Sequence, residues 1–113
     1  MIRIYHNPRC RKSREGLALL ENSGNSFEIV RYLDEPLDEE QLADLIKALG
    51  ISADQLIRKN EAIWKSEYKG KSLSEKELLK AMVTHPKLIE RPIIWKDGKA
   101  VIGRPAEKIH EIL

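Results

Sequence analysis

Asn7-Pro8 stands between a short apolar run and a helical pattern, and it fixes how this chain begins to fold. Proline disfavours helix at the residue before it, so the helix carrying Leu17 and Leu20 starts after this turn. Ile2, Ile4 and Tyr5 ahead of it read as a strand over residues 2–6, with Arg3 as the one charge inside. The helix then begins at or just after Cys10, which puts the sulfur over its N-terminus. Unpaired backbone N–H groups and the positive end of the helix dipole favour a thiolate there. Arg3, Arg9, Arg11, Lys12 and Arg14 lie within seven residues of Cys10, and His6 stands four residues before it. A thiol pKa of about 8.5 falls by several units in such surroundings. Cys10 therefore reads as a reactive thiolate in an anion-binding loop. The alternative is a lone cysteine packed as a small hydrophobe beside a solvated basic face.

The first helix ends near Gly24, in a run of C-cap and loop residues, Asn22-Ser23-Gly24-Asn25-Ser26. Phe27 to Tyr32 is a second strand by its β-branched and aromatic content, which makes a right-handed βαβ unit with parallel strands. Pro36 then changes the character of the chain. Asp38 with Gln41 is a capping pair ahead of Leu42, Leu45, Ile46 and Leu49 at helical spacing, and Gly50 stops that helix. Ser52 with Gln55 opens a short helix carrying Leu56, Ile57 and Arg58. Residues 60–72 read as loop with a helical turn. Ser74 with Glu77 opens a helix that ends before Pro86, with His85 as its C-terminal cap. Strands return in Ile93-Ile94-Trp95 and Ala100-Val101-Ile102, joined across Asp97-Gly98, a strong hairpin signal. Arg104-Pro105 places proline at N1 of a last helix, with Ile109 and Ile112 facing inward. The order predicts an α/β fold, a thioredoxin-like mixed sheet of about four strands. Its core covers residues 1–36 and 90–113, and residues 37–89 form a helical insertion within a single domain.

The 113 residues suffice for one domain with a real core. One cysteine excludes an internal disulfide, a CxxC pair and a cysteine-rich zinc site, and it predicts a reducing, cytoplasmic setting. A net charge of +2 is too small to imply nucleic-acid binding. No apolar run approaches membrane-spanning length, and no signal-peptide h-region opens the chain. Neither a nucleic acid nor a membrane is expected as a partner, and no metal-ligand cluster stands out.

Arg58, Arg91 and Arg104 are the remaining candidates. Arg91 and Arg104 each precede a proline, so either X-Pro bond could be cis. In a thioredoxin-like fold the loop before the third strand faces the first helix, which directs Arg91, and with it Arg104, towards Cys10. Paired guanidinium N–H donors suit tetrahedral oxyanions in a way lysine does not match. From spacing alone the signal is weak, because most of the 20 basic residues in a chain of 113 are surface charges.

Four segments together resemble the glutaredoxin-coupled arsenate reductase family. They are His6 to Arg14, Ile57-Arg58-Lys59-Asn60, His85 to Ile93, and Gly103-Arg104-Pro105, in order over essentially the whole chain. The resemblance implies a thioredoxin-like fold, Cys10 as catalytic cysteine, and Arg58, Arg91 and Arg104 as the oxyanion-binding arginines. It implies that His6 helps keep the cysteine ionised and that Ser13 donates a hydrogen bond to the sulfur. It also implies reduction of arsenate to arsenite through a thiol–arsenate ester, with no bound cofactor. Glutathione is the external reductant and glutaredoxin resolves the mixed disulfide, which agrees with a chain that has no second thiol.

This sequence departs from the best-known members where Arg11 and Lys12 replace glycine and threonine, and where the chain between Arg58 and Arg91 is shorter. The extra charge either tightens anion binding or fills the space the oxyanion needs. Two further functions stay open: a redox-related transcription regulator that binds RNA polymerase, and a thiol-dependent reductase of another oxyanion or of glutathione mixed disulfides. Ser13 stands where such regulators carry the second cysteine of a CxxC pair. A monomer is the expected state.

Overall fold

A computed structural model describes all residues, 1–113. The chain divides into two compact units, Met1–Glu35 with Arg91–Leu113, and Pro36–Glu90.

The first unit holds a four-stranded sheet in the order β2-β1-β3-β4, with β1 Ile2–Tyr5, β2 Phe27–Val30, β3 Ile93–Lys96 and β4 Lys99–Ile102. β1 and β2 are parallel, as a strand–helix–strand connection through α1 (Arg11–Asn22) requires. β3 runs antiparallel to β1, and β4 antiparallel to β3. The hairpin turns on two residues, Asp97 and Gly98, both with positive φ (49° and 85°), the geometry that suits the right-handed twist of the flanking strands. Ile2, Ile4, Leu20, Ile94 and Ile109 form the core, with Leu17, Phe27 and Val101 packed against them.

Two expectations for this unit need correction. β2 stops at Val30 rather than Tyr32, and it keeps only two half-buried residues, Phe27 and Val30, because it is the sheet's edge. The last helix is a 3₁₀ segment, Ala106–Glu111. Pro105 caps it from outside rather than occupying N1, since its ψ of 166° is extended.

The second unit is helical: α2 Glu39–Leu49, α3 Ala53–Leu56, α4 Ala62–Glu67, α5 Glu75–Thr84 and a 3₁₀ turn Pro86–Leu88. All three expected capping pairs form complete boxes: Asp38 with Gln41, Ser52 with Gln55, and Ser74 with Glu77. Gly50 ends α2 with φ 69°, and His85 is the C-cap of α5. Ile57 and Arg58 lie beyond α3 rather than within it. Ile57 pairs with Ile89 as an antiparallel bridge, and Arg58 N–H donates to the Leu88 carbonyl at 2.7 Å. Glu90 N–H donates to the Leu56 carbonyl at 2.9 Å, so this bridge ties together the segments that lead to Arg58 and to Glu90. No helix is long and apolar enough to cross a membrane.

Candidate active site

Cys10 is the N-cap of α1, in extended backbone with φ −96° and ψ 122°. The turn before it is built on Asn7, which is buried. The Asn7 carbonyl accepts the Cys10 N–H at 3.0 Å, and its side-chain Oδ1 accepts the Arg9 N–H at 3.0 Å. Arg14 Nη1 donates to the Pro8 carbonyl at 3.0 Å and closes the turn from the helix side. The sulfur is partly exposed and free of any disulfide.

Burial alone pushes the Cys10 thiol up, yet its pKa lies below the ordinary thiol value. The Ser13 amide leads the opposing groups, followed by the Arg91 guanidinium, through both hydrogen bonding and charge, and then by the Lys12 amide. The side-chain charges of the sequence-local cations are not among these leading groups. Arg11 and Lys12 run out along α1 to Glu15, at 3.5 and 3.7 Å, and the Arg11 side chain is 83% exposed. A helix N-terminus contributes backbone N–H groups to its cap whatever the side chains do, and that is the share Lys12 supplies.

Arg91 is buried, and Arg104 Nη1 donates to the Arg91 carbonyl at 3.3 Å. Both arginines precede cis prolines, Pro92 and Pro105. His6 and Ser13 are buried side by side, with His6 Nδ1 2.7 Å from Ser13 Oγ. The Ser13 hydroxyl also accepts the Asn7 N–H at 3.0 Å, so the hydroxyl turns to His6 and Asn7 while the Ser13 amide serves the sulfur. Burial lowers the His6 pKa, and the charges of Arg31 and Arg14 lower it further, which keeps the ring neutral near pH 7. Cys10, His6, Ser13, Arg91 and Arg104 are thus gathered in the first unit.

Arg58 belongs to the second unit. Its Nε lies 3.4 Å from Glu61 and 3.6 Å from Glu90, and its side chain is 14% exposed. Nη1 is buried without a hydrogen-bond partner. Such a donor costs stability unless something else satisfies it. Asn7 is the residue that reading the sequence missed as more than a turn signal. Asparagine side chains bond to backbone two residues on, and that signal was present in Asn7-Pro8-Arg9.

The ArsC family model matches residues 5–112. The chain belongs to the ArsC family. The protein YfgD of Escherichia coli K12, described only as uncharacterized, is 51% identical over 99% of this chain and 96% of its own length. The arsenate reductase of Neisseria meningitidis serogroup A is 44% identical over 99% of this chain and 97% of its own. The solved arsenate reductase of Vibrio cholerae superposes with a TM-score of 0.95 at 46% identity, covering 99% of this chain and 97% of that one. The ArsC-family fold here is accordingly the thioredoxin-like arrangement expected from the order of elements.

Proposed function

We propose that this chain reduces arsenate to arsenite, with Cys10 as nucleophile and with glutathione and glutaredoxin as electron donors. The observation that carries the reading is the partly exposed Cys10 sulfur with a lowered pKa, set against the Ser13 amide and the Arg91 guanidinium. Full-length relatives described as arsenate reductases support the choice of oxyanion.

The Cys10 thiolate attacks arsenic and displaces hydroxide, which leaves as water once protonated, giving a sulfur–arsenic bond. Arg91 and the amides at the start of α1 balance the oxyanion's charge. Arg104 and Arg58 complete the arginine set by the match of their motifs. A glutathione thiolate then attacks the Cys10 sulfur, and a disulfide forms between the two sulfurs. The sulfur–arsenic bond breaks with its electron pair passing to arsenic, which leaves as arsenite. The two electrons released take arsenic from the five-valent to the three-valent state. Glutaredoxin exchanges with that disulfide and frees Cys10, because the chain has no second thiol to do so.

The test is arsenate-dependent NADPH oxidation coupled through glutathione, glutaredoxin and glutathione reductase, with Cys10→Ser in parallel. Turnover in the wild type that vanishes in the variant supports the reading. A folded wild-type protein without turnover rejects it.

A further inference from the structure

The Ser13 side chain is fully buried, and its hydroxyl has two polar contacts. The Asn7 N–H donates to it and uses a lone pair of the oxygen. The hydroxyl's own proton needs an acceptor, and the one within reach is His6 Nδ1 at 2.7 Å. We infer that Ser13 donates to His6 Nδ1, that the ring is the neutral tautomer with its proton on Nε2, and that His6 acts on Cys10 through Ser13 as a positioning residue. The inference deepens the proposed site and rests on Cys10 being its nucleophile.

The reverse assignment, with Nδ1–H donating, makes the hydroxyl oxygen accept twice and leaves its proton buried without a partner. An imidazolium would place a third positive charge in a pocket that already faces Arg31 and Arg14. The Ser13 backbone and Glu21 favour the charged ring, but burial and the two arginines outweigh them. The accepted bond also explains how His6 reaches the sulfur. The same hydroxyl holds the Asn7 N–H, and the Asn7 carbonyl holds the Cys10 N–H. Ser13 thereby links the end of β1, the turn and the first turn of α1. That linkage sets where the sulfur lies relative to the Ser13 amide.

Two measurements on the full chain test this without arsenate, so they stand apart from the success or failure of the reductase reading. Nitrogen NMR of the wild-type His6 ring near neutral pH should show Nε2 protonated and Nδ1 bare. A proton on Nδ1 overturns the assignment. The second measurement is the pH midpoint of Cys10 alkylation by iodoacetamide. His6→Ala and Ser13→Ala should each raise it by about half to one pH unit, the worth of about one hydrogen bond. The double variant should go no higher, because the two residues act as one link. His6→Asn, whose Oδ1 can accept in place of Nδ1, should stay near the wild-type midpoint. A midpoint in His6→Asn as high as in His6→Ala, or additive single effects, sinks the positioning role. Should His6→Ala fail to fold, the wild-type ring spectrum and His6→Asn still decide.

Discussion

Gly16 of α1 meets the ring of Pro92: a Cβ built on Gly16 would lie 2.7 Å from Pro92 Cγ. Pro92 is fully buried and follows Arg91 directly, so the helix that presents Cys10 and the loop that presents Arg91 share this contact. Glycine in a helix ordinarily gives way to alanine with a gain of about 1 kcal/mol. Here overpacking costs about 1–3 kcal/mol and opposes that gain. Gly16→Ala should lower the Tm by a few degrees and raise the alkylation midpoint of Cys10 as Arg91 is pushed aside. A Tm above wild type would show that the proline ring yields freely.

Arg91 contributes both charge and geometry, and two substitutions separate them. Arg91→Gln removes the cation at the sulfur, so the thiol midpoint should rise and alkylation near pH 7 should slow. Arg91→Lys restores a charge but not the planar fork that grips an oxyanion. It should recover part of the thiol shift while KM for arsenate stays high. Equal recovery of both quantities in the lysine variant would mean that charge alone matters.

The chain's order of elements was legible because each boundary has a local chemical cause. Gly50, the three capping boxes and Asp97-Gly98 act within a few residues of themselves, and the structure has them where the pattern put them. What the sequence hid is set by residues far apart in the chain. The Ile57–Ile89 bridge pulls Ile57 and Arg58 out of α3, and no local signal announces a partner 32 residues away. The cysteine's environment was legible in kind but not in cause. A run of basic residues beside Cys10 suggested their charge as the stabiliser, whereas the side chains of Arg11 and Lys12 follow the helix outward and the leading groups are two amides and a distant arginine. Asn7 was visible only as punctuation, since a turn residue's hydrogen bonds cannot be counted until the turn is drawn.

Stability should fall on acidification in two windows. The folded Cys10 pKa is lowered, so its contribution is complete above the unfolded thiol value of about 8.5 and is lost as pH falls through the folded value. The folded His6 pKa is lowered too, but for a base. Below about 6.5 the unfolded chain takes up a proton that the folded ring refuses, and stability declines until pH reaches the lowered folded value. Urea unfolding across a pH series should therefore lose its upper slope in Cys10→Ser and its lower slope in His6→Asn. Unchanged slopes in both variants would mean that neither group differs between the folded and unfolded chain.

Arg11 and Lys12 offer the last prediction, because they occupy positions where better-known family members carry glycine and threonine. Charge beside a nucleophile could tighten oxyanion binding or crowd it, but neither effect fits the observed directions of these side chains. Both reach Glu15 on the outer face of α1, with the Arg11 side chain largely exposed and that of Lys12 about half exposed. Exposed pairs of this kind are worth about 0–1 kcal/mol, and salt screens them further. Their backbone amides remain whatever side chain is present, so the Lys12 share of the thiol shift survives substitution. Arg11→Gly would weaken the first turn of α1 for an unrelated reason, the entropy of glycine, so alanine is the cleaner replacement. The double variant Arg11→Ala, Lys12→Thr should keep kcat/KM for arsenate within about fivefold of wild type, the most that about 1 kcal/mol allows. Any remaining difference should shrink as ionic strength rises, since it can come only from long-range steering of the anion. A loss of a hundredfold would place one of these side chains on the oxyanion. A comparable gain would mean that they obstruct it.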